Sequence, residues 1–386
     1  VCQTGDASAL LTLDALATLV DHSLIRTVET TGETRFAMLR VVREYAHAAL
    51  VDRGSAAEFQ SRHALAYTEL VAAAQPHLRS SGRGTWLARI AADHDNIRAA
   101  MDWAFESEDA ETALAIVGGM WLYWQTRGPL PEASDRIQRA LRLDGGRPMT
   151  RAGALEAAGG IAYWNGDSEG TIAPYAEALR LLEAEGDSSA LVRALYNMSF
   201  GHIGQEEWSE AEKAIARSRS ISEQLNDLHG IGMAQWAMYL VAYFSQNMDE
   251  ALEHAQASVK TLQQVDAPFD LGWAQFTVGH MLMVKRDLER ARQNLDSAMP
   301  GFLEDGDLSA LILFLTDYAA IETLSGRSPR AARLFGAAQG VKERTGIALI
   351  DSGQVAEAMQ EFSELLEEDA GLEEAEFEAG RRMTPE

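Results

Sequence analysis

The sequence predicts an all-α chain in which helix pairs stack into a superhelix, preceded by a small segment with one β-hairpin. Three observations carry that prediction: a spacing of about 40 residues that recurs through most of the chain, a constant two-helix grammar within each period, and a first fifty residues that follow neither.

The first fifty residues contain LLTLDALATLVDHSLIRTVETTGETRFAMLRVVREYAHAAL. The pattern predicts a helix from Thr12 to Val20, then strands SLIRTVE and TRFAML joined by the turn Thr30-Thr31-Gly32-Glu33, then a helix from Val41 to Val51. Helix, hairpin and helix form the back half of a winged helix, so residues 1–53 read as a partial domain of that kind. Residues 54–110 read as lead-in helices, with SRHALAYTELVAAAQPHL and WLARIAADHDNIRAAMDWAFESED as the helical stretches. Within the second, Asp93 or Asp95 is the expected N-cap of IRAAMDWAF.

Residues 111–341 carry the period on two markers. A small residue opens the second helix of each unit: Gly170 in GDSEGT, then Ala211, Ala251, Ala291 and Ala331, at spacings of 41, 40, 40 and 40, with Ala133 a further 37 positions before Gly170. In the helix before it, Ala154, Ala194, Ala234 and Ala274 are each 40 apart. Chance composition would not hold phase over such a distance. Each unit runs from an Ala/Gly/aromatic helix through a Gly, Asn or Asp turn to a more polar amphipathic helix, as in EALEHAQASVKTLQQV. A helix pair cannot bury its apolar face alone, whereas stacked neighbours can, and an open superhelix is the expected result. The last segment, 342–386, holds 11 acids and no Lys or Arg between Asp351 and Glu378. Met359, Phe362, Leu365, Leu366, Leu372 and Phe377 still fall on helical faces, so it reads as an acidic cap of two short helices with a solvated outer surface.

The repeated segments resemble the tetratricopeptide repeat in its longer, 40-residue form, with five clear units from about Arg151 to Val341 and a weaker one from Glu111 to Leu143. The resemblance implies a right-handed superhelix whose first helices line the concave groove. LVDHSLI, RFAML and VREYA resemble the winged-helix segment that follows the nucleotide-binding core of NB-ARC/STAND ATPases. The whole chain therefore resembles the C-terminal part of an actinobacterial-type STAND regulator, LuxR-type or cyclase-associated, with its ATPase domain upstream. In that family a Met-His-Asp triplet contacts nucleotide. Here the matching triplet is Met38-Leu39-Arg40, without the His or the Asp, and no nucleotide site is expected from it.

Charge and missing motifs narrow the function. With 33 Lys and Arg against 58 Asp and Glu, the net charge of −25 opposes contact with a phosphate backbone. Arg35, Arg40 and Arg43 flank the hairpin, but the first 100 residues carry 10 basic and 11 acidic groups and no basic stripe, so a solvated or interdomain face is expected there. A single cysteine, Cys2, excludes intrachain disulfides and suits the cytoplasm, and no apolar run is long enough to span a membrane. The start without Met and in mid-pattern reads as a fragment of something larger. There is no GxxxxGK[ST] loop or HExxH, and the nine histidines never pair with Cys at metal-ligand spacing. Neither an enzyme nor a cofactor is expected.

What the repeats do offer is aromatic residues on their first helices. The candidate groove-lining set is Tyr163, Asn197, Gln235, Trp236, Tyr239, Tyr243, Gln275 and Phe276, with Trp164, Tyr196, Trp273 and Tyr318 on the same helices. The amides Asn197, Gln235 and Gln275 recur at intervals of 38 and 40, a pattern suited to recognition along a groove. The expected role is a non-catalytic sensor or interaction region holding a protein or small-molecule signal. The alternative is a free-standing scaffold that joins two proteins.

Overall fold

The computed structural model describes residues 8–30, 33–186, 188–345 and 372–384. Helix α1 (Ser8–Asp21), strands β1 (Ile25–Thr30) and β2 (Glu33–Met38) and helix α2 (Arg40–Asp52) form the first unit. The strands pair antiparallel, with Ile25 opposite Met38 and Val28 opposite Arg35. Among the described side chains from 11 to 54 only Ile25 is buried, and α2 buries none. Leu11 at 69%, Val41 at 74% and Tyr45 at 78% exposure leave the unit's apolar surface in solvent.

Three lead-in helices follow: α3 (Ala56–Ala74), α4 (Arg83–Ala92) and α5 (His94–Glu106). Asp93 does occupy the N-cap position of α5, but its carboxylate makes no capping hydrogen bond. It is held by Arg35 of β2 instead, whose Nη1 and Nη2 each donate to it over 2.8 Å. The charge-assisted fork outcompetes a single backbone N–H, and it makes Arg35 an interdomain contact rather than a free cation.

Six helix pairs then stack: α6 (Ala110–Arg127) with α7 (Leu130–Leu141), α8 (Pro148–Trp164) with α9 (Ser168–Glu185), α10 (Ser188–Gly204) with α11 (Trp208–Leu225), α12 (Leu228–Phe244) with α13 (Met248–Leu262), α14 (Pro268–Val284) with α15 (Leu288–Asp305), and α16 (Leu308–Leu324) with α17 (Ser328–Thr345). Helix α18 (Leu372–Arg381) packs on α17. The fold is all-α and tetratricopeptide-like, with one hairpin. Only α18 of the acidic cap can be compared with its expected helices. Met359, Phe362, Leu365 and Leu366 lie outside the described residues, as does the side chain of Leu372.

The repeat registers more tightly than the sequence markers suggested. Gly170 is not the equivalent of Ala211; it is partly exposed, while Thr171 beside it is fully buried. Counted from Thr171, the positions 171, 211, 251, 291 and 331 are 40 apart throughout, and all are fully buried. The turns repeat as well. Gly166, Glu206, Gln246, Arg286 and Gly326 all have left-handed φ between 59° and 76°. After each, the next backbone N–H donates to a carbonyl five residues back: Asp167 to Ala162, Glu207 to His202, Asn247 to Ala242, Asp287 to Leu282 and Arg327 to Glu322. This is the helix-ending bond pattern that consumes orphan carbonyls. Two second helices are also stitched to the first helices by buried serines, Ser218 Oγ donating to the Val192 carbonyl and Ser258 Oγ to the Gly232 carbonyl.

The superhelix is not open. It curls until its two ends touch, so that α6 meets α16 and α4 meets α15. Arg83 at the start of α4 is 3% exposed, and its Nη2 donates to Asp307 Oδ2 over 3.1 Å and to Thr126 Oγ1 over 2.7 Å. Its guanidinium also lies 3.9 Å from the centre of the Phe269 ring. Arg79 pairs with Asp270 at 3.0 Å beside it. Ile312, Ala338 and Val341 from the last pair accordingly join the core of the lead-in helices. Stacking six pairs of this geometry completes a turn, and buried ion pairs seal the seam.

Candidate functional site: an aromatic chamber inside the closed turn

Closing the turn converts the concave groove into a chamber of ≈ 620 Å³. Its wall is built from the first helices α6, α8, α10, α12, α14 and α16, with Tyr175 of α9, Trp208 of α11 and Arg79 ahead of α4. Nine of its rings form an unbroken circuit. From Tyr163 it passes to Phe200 at 5.2 Å, Trp236 at 5.7 Å, Tyr239 at 6.4 Å and Tyr243 at 5.7 Å between centroids. It continues to His280 at 5.4 Å, Phe276 at 6.3 Å, Trp273 at 5.9 Å and Trp164 at 6.3 Å, and returns to Tyr163 at 5.9 Å. Small residues leave room for these rings: a Cβ at Gly160 would come within 2.8 Å of the Trp121 ring, which also lines the wall. The exposed lining residues Gly166, Gly204, Glu206 and Phe244 mark the mouth at the ends of α8, α10 and α12.

Six of the eight candidate residues lie on this wall: Tyr163, Asn197, Trp236, Tyr239, Tyr243 and Phe276. Gln235 and Gln275 do not. Gln235 points back to its own second helix, where its Oε1 accepts from Thr261 Oγ1 over 2.8 Å. Tyr318 is also outside, its hydroxyl donating to Asp296. A spacing of 40 keeps equivalent positions equivalent but does not say which face they occupy, and one helical step of 100° separates Gln235 from Trp236.

The polar groups of the wall are held in fixed arrangements. His280 sits between Asp317, whose two carboxylate oxygens lie 3.0 Å from Nδ1, and the Tyr243 hydroxyl, 3.0 Å from Nε2. Burial alone would lower the pKa of His280, but the charge of Asp317 and the hydrogen bond to it outweigh burial and hold it above its ordinary value. Asp270 is paired with Arg79 and also lies 2.8 Å from His229 Nε2. Burial would raise its pKa, and the charge of Arg79 with the His229 contact holds it below the usual carboxylate range. Trp236 Nε1 donates to Thr277 Oγ1 over 2.8 Å, which in turn donates to the Trp273 carbonyl. Burial pushes the Tyr163, Tyr196 and Tyr239 hydroxyls upward, so these phenols are neutral at any ordinary pH. One group stands apart: Asn197 is 8% exposed and its Nδ2 is buried without a hydrogen-bond partner. Sequence reasoning missed Arg79, Asp270, His280 and Asp317, because each acquires its partner from a different repeat or from across the seam. Among the described residues no cluster of His, Cys, Asp and Glu could hold a metal ion, and no helix is long and apolar enough to cross a membrane.

Fold and site thus define a class: a tetratricopeptide-like helical repeat protein carrying a hairpin-bearing N-terminal unit and an aromatic-lined chamber open at one mouth. Residues 1–51 match the family model described as a winged helix-turn-helix domain. Over 205 residues the chain is 32% identical to a putative HTH-type transcriptional regulator of Mycobacterium tuberculosis, a match that covers 50% of this chain and 23% of that protein. Among solved structures, a Rap protein complexed with Competence and Sporulation Factor superposes with a TM-score of 0.57 at 12% identity, covering 83% of this chain and 96% of that one. A STAND protein with a tetratricopeptide repeat sensor from Pyrococcus horikoshii gives a TM-score of 0.43 at 14% identity over 94% of this chain and 60% of that one.

Proposed function

We propose that this chain is the non-catalytic sensor and interaction region of a cytoplasmic bacterial regulator of the STAND ATPase type, and that its chamber is where the signal binds. The observation that carries the reading is the closed circuit of rings around a sizeable cavity with one buried, unpaired donor, Asn197. Largely preformed apolar cavities with a few placed polar groups are where small ligands bind. The regulator half of the reading rests on the winged helix-turn-helix match and the mycobacterial relative. The ATPase domain is proposed to lie upstream in the full-length protein. DNA contact by this chain is not part of the proposal: Arg35 is engaged with Asp93, and Arg40 lies 3.2 Å from Glu44.

A sensor must bias a second element, which requires its ligand to favour one conformation of the whole. Helix α4 is placed to report on the chamber. Arg83 at its first residue belongs to the seam, and Asp93 just past its last residue is the anchor of the hairpin through Arg35. A shift of the seam on ligand binding therefore moves the winged unit through a single ten-residue rod.

The test is a thermal-shift screen of the chain against metabolites, nucleotides and peptides. A true ligand raises Tm progressively with its concentration by mass action on the folded state. Trp236→Leu should abolish the shift and Gln275→Ala, off the wall, should leave it intact. Silence across a broad library, or a hit indifferent to Trp236, would overturn the reading.

A further inference from the structure

Independently of what the chamber binds, we infer that the edge of the array formed by its helix-pair turns is a docking surface for a second copy of this chain, arranged about a twofold axis. Five turns share one register, around Gly166, Glu206, Gln246, Arg286 and Gly326. Neighbouring turns touch: Gln205 Nε2 donates to the Ser168 carbonyl over 3.5 Å, and Lys285 pairs with Asp249. Their charge changes sign along the row. Residues 165–170 carry two acids, 205–210 three and 245–250 two, with no Lys or Arg among them. Residues 285–290 carry three bases and two acids, and residues 325–330 two bases and no acid. Every one of these groups except Asp287 is exposed. At the basic end, Arg292, Arg327 and Arg330 share the single fully buried carboxylate of Glu322, so positive charge is in surplus there.

A row that is acidic at one end and basic at the other is complementary to itself when turned end for end. Equal steps of 40 residues keep the turns in register on both sides of an axis through the boundary between residues 245–250 and 285–290. The 285–290 turn of one copy then faces the 245–250 turn of the other, and the 325–330 turn faces 205–210. A twofold contact makes each of these pairings twice, whereas a partner of one sign would meet repulsion along part of the row. Exposed ion pairs contribute little one by one, and the boundary supplies an apolar centre. Phe244, at 36% exposure, ends the helix that leads into the 245–250 turn, close to the axis and to its own counterpart. An aromatic centre within a polar rim is the ordinary anatomy of a protein interface. The net charge of −25 opposes association at long range. At about 0.15 M salt, however, charges more than about 8 Å apart are largely screened and those in contact much less so. Because Glu206 and Phe244 also mark the chamber mouth, the second copy covers it.

Sedimentation of the purified chain over a concentration series tests this. The chain should form dimers at about 0.15 M salt and dissociate at about 1 M, where the screening length falls to about 3 Å. Phe244→Ser should weaken the dimer at least about tenfold. The decisive arm uses two charge reversals at exposed positions: Arg286→Glu with Arg290→Glu, and Asp249→Lys with Glu250→Lys. Each variant alone should be monomeric at the lower salt, because like charges then face each other across the axis. A Tm close to that of the native chain shows that each is folded. Mixed in equal amounts, the two should form a heterodimer, because every facing pair of turns is again opposite in sign. A native chain that stays monomeric at about 0.15 M salt up to about 0.1 mM protein overturns the inference. A dimer that survives the higher salt, either reversal or Phe244→Ser also overturns it, because the contact would then lie on another surface. So does a folded pair of reversed variants that remains monomeric on mixing.

Discussion

At the scale of single residues, the chamber shows how one partner changes the chemistry of a side chain. His280 would be an ordinary buried imidazole but for Asp317, whose charge and hydrogen bond shift its pKa upward in the folded chain. Because the folded pKa lies above the unfolded value near 6.5, the stability it contributes is fully present below that value. It is lost as pH rises through the folded pKa. Tm measured from acid to alkaline pH should therefore decline for the native chain in the range above about 6.5, and the decline should flatten in His280→Gln. An unchanged slope in that variant would mean that another group titrates. Asp270 has the opposite sign: its depressed pKa stabilises the fold above the ordinary carboxylate value, and that contribution fades as pH falls through the folded pKa.

At the scale of elements, the repeat is maintained by turn geometry as much as by the buried small residues. Three of its five left-handed turn positions, Glu206, Gln246 and Arg286, are not glycine. A side chain in that region costs about 1–2 kcal/mol, partly offset by the greater freedom of unfolded glycine. Gln246→Gly should raise stability by up to about 1 kcal/mol in a urea titration, and a destabilised variant would show that the Gln246 side chain makes a contact that matters. The junction of α17 and α18 works by a different device. A Cβ at Gly336 would come within 2.0 Å of the Phe377 carbonyl oxygen, and one at Gly380 within 2.0 Å of that of Arg333. The two backbones approach so closely that Gly336→Val should undock α18. Hydrogen exchange should then show residues 372–381 losing protection while α8 to α14 keep theirs; protection retained at 372–381 would contradict the close packing.

At the scale of the whole molecule, the decisive event is the meeting of the two ends. Arg83 and Asp307 are both almost fully buried, and Asp307 also accepts from the Ala310 N–H as the cap of α16. Breaking one side of a buried pair costs about 3–5 kcal/mol, far more than an exposed pair. Asp307→Ala should lose stability on that scale in chemical denaturation and, where the chain remains folded, increase its radius of gyration in small-angle scattering. The matched apolar replacement Arg83→Met with Asp307→Leu should recover much of the stability. A closed, native-sized Asp307→Ala would show that the seam is held by apolar packing alone. Arg35 extends the same logic outward, because its fork with Asp93 joins the winged unit to the helix that carries Arg83.

The local order of this protein was legible in its sequence because it is set by periodic, short-range constraints. Ala154, Ala194, Ala234 and Ala274 are buried at equivalent depth because 40 residues return the chain to the same face of the same helix. The hairpin, the lead-in helices and the aromatic content of the first helices follow from patterns of that range. What the sequence could not show is the total rotation accumulated over six pairs. That rotation turned an expected open groove into a chamber, placed Arg79 and Arg83 against Asp270 and Asp307 some 190 to 220 positions away, and left Gln235 and Gln275 off the wall. It also joined His280, Asp317 and Tyr243 from three repeats into one hydrogen-bonded chain. Each step between repeats is small and nearly invisible in the residues that make it. The sum of the steps decides where the two ends lie, and only the folded chain carries out that sum.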